Sequence, residues 1–395
     1  MAKPLEGLKV IDLTRVLAGP FSTMLLADMG ADVIKIENPN GGDDSRAFGP
    51  FKNGLSAYYI SLNRSKRGVT LNLKEERGKE LLKKLVKKAD ILVENYKPGT
   101  MKKLGLDYDM LKTINPRLIY AASSGFGQTG PYSSRAAYDL ILQGMSGFMS
   151  ITGFDTEHPV KAGSSIADIF AGVFTTIGIL SALEHRHKTG QGQMVDIAMM
   201  DCMIATLENA IATFDCTKKA PHPIGNVHRS IAPFATFPTS DGFVNVCAGN
   251  EELWRKFCET IGMKGFAADE RFAGNKARIE NFGELSKIIA EHTTKRKTAE
   301  WIEALDEVKV PCGPIMDIEQ VVNDPQVKAR NMIVEMEHPE AGKFIVPGVP
   351  IRFSETQASI KSFAPSLGEH NFEVYGQELG LSREEIEKLQ TDGII

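Results

Sequence analysis

Short apolar runs and amphipathic stretches alternate along the first half of the chain. Leu8–Leu13 (LKVIDL) and Ala31–Glu37 (ADVIKIE) are typical of β-strands. Between them, Pro20 and the apolar run Phe21–Met29 predict a helix. A strand, a helix and a strand in so short a segment predict a βαβ unit, whose strands pair in parallel through a right-handed crossover.

The same alternation continues towards the middle of the chain. The pattern predicts further strands at Val69–Leu73, Asp90–Glu94, Leu118–Ala122 and Met194–Ala198, with helices over Lys74–Ala89, from Asp168 onward, and over Met200–Phe214. Alternating β and α elements are typical of an α/β fold. We therefore expect a doubly wound parallel sheet with ligands at its carboxyl edge.

The second half of the chain differs in composition and in its pattern of apolar residues. Residues 220–240 are rich in Pro, Gly, Asn and His, as expected of a connecting segment. Beyond it, the pattern predicts a smaller, more helical region and a short β stretch, with elements at Glu251–Ile261, Phe282–Thr293, Thr298–Glu307, Asp317–Met332, Gly342–Ile351 and Ser382–Asp392.

Composition and charge exclude several classes of protein. The 395 residues are 42% hydrophobic and 24% charged, which is ordinary for a globular chain. A net charge of −4 argues against a nucleic-acid binder with a broad basic surface. The longest apolar stretch, Ile169–Leu183, is too short to cross a bilayer, and Met1–Val10 carries charges where a signal peptide is apolar. We therefore expect a soluble, cytoplasmic protein without a membrane partner.

Familiar metal and cofactor motifs are missing from the sequence. The five cysteines form no C-x-x-C pair and are predicted to be buried hydrophobic residues, so neither a disulfide scaffold nor a zinc site is indicated. The first predicted strand leads into RVLAGP rather than G-x-G-x-x-G, which argues against a nicotinamide or flavin cofactor. His185 and His187 have the spacing of a metal-binding pair, but they fall at the basic end of a predicted helix. A solvated helix end is therefore the favoured interpretation.

Chemistry in the N-terminal region has to use groups other than histidine, because the first histidine is His158. Asp168 is a candidate, since it stands at the start of an apolar helix with Ser164 and Ser165 just before it. It is interpreted either as the N-cap or as a nucleophile, and the two roles are compatible. A second candidate is the lysine-containing turn Glu94–Gly105, which is interpreted as a solvated basic turn or as a site for an anion such as phosphate.

The chain resembles the family III CoA-transferases, a family that also contains α-methylacyl-CoA racemases. The resemblance runs along nearly the whole chain and is carried by the blocks LEGLKVIDLTRVLAGPFSTMLLADMGADVIKIE, NRSKRGVTLNLK, ILVENYKPGTMKKLGL, NPRLIYAASSGFGQTGPY, YDLILQGMSG, ADIFAG, HKTGQGQMVDIAMMD, VPCGPI and LGEHN.

The resemblance implies an interlocked homodimer. It also implies a discontinuous, large Rossmann-like CoA-binding domain of residues 1–215 and 330–395, with a linker and a small α+β domain at residues 216–329. The substrates would be an acyl-CoA and a carboxylic acid, with neither a tightly bound cofactor nor a metal. Asp168 falls on the family's catalytic aspartate. The implied coenzyme A contacts are Leu17, Ala18, Asn38, Leu71, Asn72, Leu73, Lys74, Asn95, Tyr96, Lys97, Lys103, Ala136, Ala137, Tyr138 and Asp139.

Within the family, a transferase is favoured over a racemase. Racemization at the α-carbon needs an acid or base on each face, and racemase members place a histidine where this chain has Tyr138. The oxalate enzymes carry a glutamine at the place of Leu17 and a glycine-rich loop between Asn226 and Asp241. This chain has neither, so oxalate and formate are not the expected substrates. A racemase, an isomerase that moves CoA within one substrate, and a non-catalytic CoA-binding protein remain alternatives.

Overall fold

The computed structural model describes residues 2–339 and 341–395. In chain order its strands are β1 (Lys9–Asp12), β2 (Asp32–Glu37), β3 (Phe51–Lys52), β4 (Leu55–Ser56), β5 (Arg67–Thr70), β6 (Ile91–Glu94), β7 (Ile119–Ser124), β8 (Met194–Ala198), β9 (Phe234–Pro238), β10 (Phe243–Cys247), β11 (Cys312–Pro314), β12 (Ile333–His338) and β13 (Gly342–Pro347). Its helices are α1 (Ala18–Asp28), α2 (Ala57–Asn63), α3 (Glu76–Val86), α4 (Thr100–Leu104), α5 (Tyr108–Ile114), α6 (Asp139–Met145), α7 (Ile166–Thr189), α8 (Met199–Ala205), α9 (Glu208–Thr217), α10 (Glu251–Thr260), α11 (Asn275–Glu280), α12 (Phe282–Thr293), α13 (Thr298–Glu307), α14 (Ile318–Asn323), α15 (Pro325–Ala329), α16 (Asn371–Leu379) and α17 (Arg383–Thr391).

The chain divides into two compact units. The larger unit runs to Met149 and continues through Lys161–Ala220 and Gln326–Ile395, while the smaller comprises Ser150–Val160 and Pro221–Pro325. The predicted domain boundaries, after residue 215 and before residue 330, lie close to these transitions. No pattern in the sequence indicates that Ser150–Val160 groups with the smaller unit.

Six strands of the larger unit form one sheet in the order β5-β2-β1-β6-β7-β8, and every neighbouring pair is parallel. The chain steps from β1 to β2 on one side and later places β6 on the other side of β1. The strand order therefore reverses between β1 and β6, and ligands bind outside the carboxyl ends of the strands at such a reversal. The predicted α/β class with a parallel sheet is confirmed.

On one face of this sheet, α7 crosses α1. Ile179 and Leu183 of α7 share a buried cluster with Leu26 of α1 and with the strand residue Val10. A Cβ atom at Gly172 would lie only 2.8 Å from the Ala18 carbonyl oxygen, so the two helices approach as closely as they do because residue 172 is glycine. This contact fixes the start of α7 beside the start of α1.

The length of α7 corrects one expectation from the sequence. The helix has 24 residues and is long and apolar enough, by length and composition alone, to cross a membrane. The expectation that this region is too short is wrong, because the helix extends beyond the apolar run on both sides. In the structure α7 is partly buried. It packs against α1, β7 and β8, and its buried Arg186 pairs with Asp90 (3.0 Å).

The opposite face of the sheet is covered by α3, α5 and the two C-terminal helices. Leu85 of α3, Tyr375 of α16 and Ile395 belong to one buried cluster with the strand residues. The Tyr375 hydroxyl donates to the Thr70 carbonyl oxygen (2.7 Å), which ties α16 to the end of β5. Both faces of the sheet are therefore buried, as expected of a doubly wound fold.

The smaller unit is built on a three-stranded antiparallel sheet with the order β11-β10-β9. Helices α10, α12 and α13 cover it with a separate apolar core that includes Phe237, Trp254, Phe257, Leu285 and Trp301. Arg278 is fully buried beside this core and pairs with Glu251 (2.9 Å).

Several predicted elements are divided or refined by the structure. The helix predicted over Met200–Phe214 is two helices, because Glu208 has a φ of 21° that interrupts the helical backbone. The helix predicted over Asp317–Met332 breaks at Asp324, since a residue before proline avoids the helical conformation. The connecting segment predicted at residues 220–240 contains β9.

The cysteines are less uniformly buried than predicted. All five are free, but Cys216 is exposed and Cys247 and Cys312 are half-buried. Only Cys202 and Cys258 fit the prediction of buried hydrophobic residues.

Candidate active site

The turn between β1 and α1 lies at the carboxyl edge of the sheet, where the strand order reverses. Val16 in this turn has a φ of 67°, a left-handed conformation that β-branched residues rarely adopt. Its N–H donates to Asp43 Oδ1 (3.1 Å), and the Arg15 N–H donates to Asn95 Oδ1 (2.9 Å). The loops after β2 and β6 therefore hold this turn in a strained shape, as is common at functional sites.

Buried charged side chains support the same turn. Lys66 Nζ donates to Asp12 Oδ2 (2.9 Å), and Lys35 Nζ donates to the Thr14 carbonyl oxygen and to Asp43 Oδ2 (2.8 Å each). Burial alone would raise the pKa of Asp12 and lower the pKa of Lys35, but the neighbouring opposite charges reverse both shifts. These residues form a charged network inside the fold that fixes the position of the β1–α1 turn.

A cavity of about 250 Å³, here called the edge cavity, opens at this edge. Its lining includes the β1–α1 turn, the segment after β6 and the end of β7, which follow neighbouring strands of the sheet. The segment before α6 completes the wall. A Cβ atom at Gly125 would lie 2.3 Å from the Ala137 Cβ, so glycine at the end of β7 lets this segment pack against the sheet.

A second cavity of about 740 Å³, here called the loop cavity, adjoins the first. Its lining is drawn from the loop after β2, the start of α6 and the residues that precede α7. Four residues line both cavities: Val16, Asp44, Tyr138 and Asp168. Asp168 therefore lies where the two cavities meet.

Asp168 is the third residue of α7 rather than its N-cap. The helix begins at Ile166 and Ser165 is the N-cap, so the N-cap interpretation of Asp168 is wrong. Within residues 2–339 and 341–395, no group donates a hydrogen bond to its carboxylate. Burial, together with the nearby carboxylate of Asp139, raises the pKa of Asp168 to about 7. A carboxylate without hydrogen bonds is poorly stabilised as an anion and is correspondingly available to react.

Asp139 connects α6 to the start of α7. Its Oδ1 accepts a hydrogen bond from the Ala167 N–H (2.9 Å), and its Oδ2 accepts one from Gln143 Nε2 (2.7 Å). The Gln143 carbonyl oxygen Oε1 in turn accepts from the Ala162 N–H (2.8 Å). Asp139 thus satisfies a free amide of the first turn of α7 from outside the helix and fixes the helix end that carries Asp168.

The structure brings together most of the residues expected to contact coenzyme A. The lining of the edge cavity includes Leu17, Ala18, Asn95, Tyr96, Lys97, Ala136, Ala137 and Tyr138 together with Asp168. Asp139 lines the loop cavity. The lining of the two cavities does not include Asn38, Leu71, Asn72, Leu73, Lys74 or Lys103. For all fifteen residues, contact with coenzyme A stays a prediction.

The remaining six residues occupy varied positions. Asn38 is exposed after β2, and its Oδ1 accepts from the Asn40 N–H (2.9 Å). Leu71 is buried in the core, whereas Lys74 and Lys103 are exposed. Asn72 and Leu73 are half-buried between β5 and α3.

The edge cavity also contains residues that the sequence patterns do not single out. Arg15 and Arg135 join Lys97 in its lining and give it three cationic side chains. Ser123 and Ser124, at the end of β7, also line it. Their hydroxyls are buried and have no hydrogen-bond partner within the described parts of the chain. The serines directly follow a predicted strand, so their place at the carboxyl edge is a signal that could have identified them.

Glu94 holds the segment after β6 in place. Its carboxylate accepts hydrogen bonds from the Tyr96 N–H (2.7 Å) and the Tyr120 hydroxyl (3.3 Å). Burial raises the pKa of Glu94 to about 7.

Among the described residues, no group of three or more His, Cys, Asp or Glu side chains is arranged to hold a metal ion.

The fold and the site together define a class of α/β proteins that is already represented among solved structures. A crystal structure of a CAIB/BAIF family protein from Brucella suis superimposes with a TM-score of 0.86, at 41% identity, over 96% of this chain and all of the other. A Mycobacterium tuberculosis protein superimposes with a TM-score of 0.84, at 30% identity, over 94% of this chain and 98% of the other.

The sequence identifies the family. The model for CoA-transferase family III matches residues 5–371, and the chain belongs to this family. It is 44% identical to the succinate–glutarate CoA-transferase of Agrobacterium fabrum over 95% of both chains. It is also 43% identical to the acetyl-CoA:oxalate CoA-transferase of Acetobacter aceti over 89% of both chains. Its relatives are CoA-transferases, and the predicted enzyme class is confirmed.

Proposed function

We propose that Asp168 is the covalent nucleophile in the transfer of CoA from a donor acyl-CoA to an acceptor carboxylic acid. The Asp168 carboxylate attacks the thioester carbonyl, the carbon–sulfur bond breaks, and an aspartyl–acyl anhydride and CoA thiolate form. The thiolate attacks the Asp168 carbonyl of the anhydride, releases the donor acid and leaves an aspartyl-CoA thioester. The acceptor carboxylate then repeats the two steps in reverse order.

The position of Asp168 between two cavities is the observation that carries this proposal. A CoA thioester has two parts, a long anionic coenzyme and an acyl group, and the carbonyl carbon lies between them. The edge cavity, with Arg15, Lys97 and Arg135, suits the phosphates of the coenzyme. The loop cavity then receives the acyl group, and the thioester carbonyl falls beside Asp168.

The buried hydroxyls of Ser123 and Ser124 support the same placement. A buried hydroxyl without a partner costs free energy, and a ligand with amide or carbonyl groups can supply the missing hydrogen bonds. The pantetheine arm of CoA carries such groups. We propose that this arm passes the end of β7 on its way to Asp168.

Several further features of the enzyme stay proposals. We propose short dicarboxylic acids as substrates, because relatives are named for succinate, glutarate and oxalate. The missing glutamine and glycine-rich loop argue against oxalate, but relatives named for oxalate weaken that argument.

We also propose an interlocked homodimer, which is supported by the half-exposed apolar side chains of Ile211 and Phe214 on α9. A cytoplasmic location is supported by the five free cysteines.

Covalent trapping tests the proposal directly. The enzyme is incubated with an acyl-CoA, treated with hydroxylamine, digested and analysed by mass spectrometry. We expect a hydroxamate on the peptide that contains Asp168, because anhydrides and thioesters react with hydroxylamine and free carboxylates do not. The peptide that contains Asp139 serves as the internal control and should stay unmodified. A modification that maps elsewhere, or none with any acyl-CoA that the enzyme turns over, refutes the nucleophilic role.

The pH dependence of trapping gives a second prediction. Only the ionised carboxylate attacks, and the pKa of Asp168 is raised to about 7 by burial and by Asp139. The trapping rate should therefore rise about tenfold per pH unit well below pH 7 and level off above it. In the Asp139→Asn variant the rise should move to lower pH, because one cause of the raised pKa is removed. An identical pH profile in this variant would contradict the coupling between the two carboxylates.

A further inference from the structure

The loop cavity has an uneven distribution of charge and apolar surface. Phe48 and Tyr58, whose rings meet edge-on at 5.7 Å between centroids, give it an apolar wall with Leu140. Among its described lining residues, Lys161 is the one cation. An apolar wall with one cation is suited to a short acyl chain that ends in an anionic group.

The carboxylates of the loop cavity are bound by groups other than Lys161. Asp43 accepts hydrogen bonds from Lys35 and Ser45, and Asp44 pairs with Arg15 (3.3 Å). Asp139 is occupied by the Ala167 N–H and by Gln143, as described above. Asp168 is the proposed nucleophile.

Lys161 itself is bound only by neutral groups. Its Nζ donates to the carbonyl oxygens of Ala162 (2.8 Å) and Gly163 (3.4 Å). In the described parts of the chain, no carboxylate forms an ion pair with this ammonium group. The charge of Lys161 is thus available to an anion that enters the cavity.

The backbone next to Lys161 and the helix turn of Asp168 are held by the same two side chains, Gln143 and Asp139. Gln143 is fully buried, accepts from the Ala162 N–H (2.8 Å) and donates to Asp139, and Asp139 accepts from the Ala167 N–H at the start of α7. One pair of side chains therefore holds the backbone next to Lys161 and the helix turn of Asp168. This arrangement fixes the backbone next to Lys161 relative to the helix turn that carries Asp168.

We propose that Lys161 binds the distal carboxylate of a dicarboxylic acyl group and thereby selects dicarboxylic over monocarboxylic CoA thioesters. The inference rests on the proposed function, because it requires the acyl group to lie in the loop cavity while its carbonyl carbon faces Asp168. The methylene groups pack against Phe48 and Tyr58. The Tyr58 hydroxyl stays protonated, since burial and the carboxylates of Asp168, Asp43 and Asp139 raise its pKa to about 12, and it is a neutral donor in the same cavity.

A single-turnover comparison of two donors tests this role. Succinyl-CoA and butyryl-CoA have acyl groups of similar length, and only the first ends in a carboxylate. The rate constant for Asp168 modification is measured with each donor, at subsaturating concentration, in the wild-type enzyme and in Lys161→Met. In the variant, we expect the succinyl rate to fall about 10- to 100-fold and the butyryl rate to change less than about threefold. Lys161→Arg should keep most of the preference for succinyl-CoA.

Lys97→Met is the matched control, since it removes a lysine from the edge cavity. It should slow both donors by the same factor, because both carry the same coenzyme. An equal loss with both donors in Lys161→Met would show that Lys161 contacts the coenzyme or only supports the fold, and would overturn the inference. No loss with either donor would overturn it as well. If the wild-type enzyme forms no adduct with any donor, the proposed function itself fails, which is a distinguishable result.

Discussion

Replacing Asp168 by asparagine should abolish CoA transfer while leaving the protein fully folded. An amide is not a nucleophile towards a thioester, so neither the anhydride nor the aspartyl-CoA thioester can form. We expect kcat to fall by roughly 10⁴-fold or more, as is typical when a covalent nucleophile is removed. The measurement is steady-state CoA transfer between the preferred donor and acceptor, with the reaction products identified by mass spectrometry.

The structure explains why this variant should stay folded. No hydrogen bond from the described residues to the Asp168 carboxylate is lost, and a half-buried negative charge beside Asp139 is removed. The melting temperature should therefore be unchanged or slightly higher, and binding of coenzyme A should persist because the edge cavity keeps its cations. Asp139→Asn is the comparison variant. It disturbs the hydrogen bond with Gln143 and should lower stability more than Asp168→Asn does. An Asp168→Asn enzyme with more than about one hundredth of the wild-type kcat would contradict the mechanism.

The second large effect is expected at Lys66, which supports the β1–α1 turn from inside the fold. Lys66 and Asp12 are both fully buried, and Lys66 Nζ also donates to the Pro20 carbonyl oxygen (3.1 Å) and to Asn63 Oδ1 (2.9 Å). Lys66→Met leaves the Asp12 carboxylate buried without its ion-pair partner. We expect the free energy of unfolding to fall by about 3–5 kcal/mol, measured by chemical denaturation.

Two further variants define what the Lys66 measurement means. Lys83 pairs with Glu80 on the surface of α3, and Lys83→Met should change stability by less than about 0.5 kcal/mol. The double variant Asp12→Asn with Lys66→Met should be more stable than the sum of the single changes predicts, because neither charge is then left alone. If Lys66→Met is as stable as Lys83→Met, the buried network does not hold the β1–α1 turn.

The central sheet was predictable because its strands are apolar and regularly spaced. The predicted strand Met194–Ala198 matches β8 of this sheet. In the smaller unit, the predicted helices Phe282–Thr293 and Thr298–Glu307 match α12 and α13. Short apolar runs separated by amphipathic helices leave few alternatives to a parallel α/β sheet. Breaks such as those at Glu208 and Asp324 were missed, because the hydrophobic pattern continues across them while the backbone does not.

For the candidate active site, the sequence singles out Asp168 but not the residues that surround it. Asp168 is identifiable from its place beside small residues and from the resemblance to a family. Lys35 and Lys66 are a different case, because a lysine in or next to a predicted strand is normally assigned to the solvent side. Only the assembled sheet shows that these side chains meet Asp12 and Asp43 inside the fold. The role of Lys161 could not be predicted either. Its backbone is placed by the buried Gln143, which accepts from the Ala162 N–H 19 residues further along the chain.

The cover of the sheet by α16 and α17 has a consequence for biosynthesis. The ribosome releases β1, β2, β5 and β6 long before it releases Tyr375, Leu389 and Ile395, which complete the cluster on their outer face. The growing polypeptide therefore carries a bare apolar surface for most of translation, and such nascent surfaces attract chaperones. The buried core residues of the smaller unit all precede residue 311. This unit can therefore fold before α16 and α17 cover the apolar face of the large sheet.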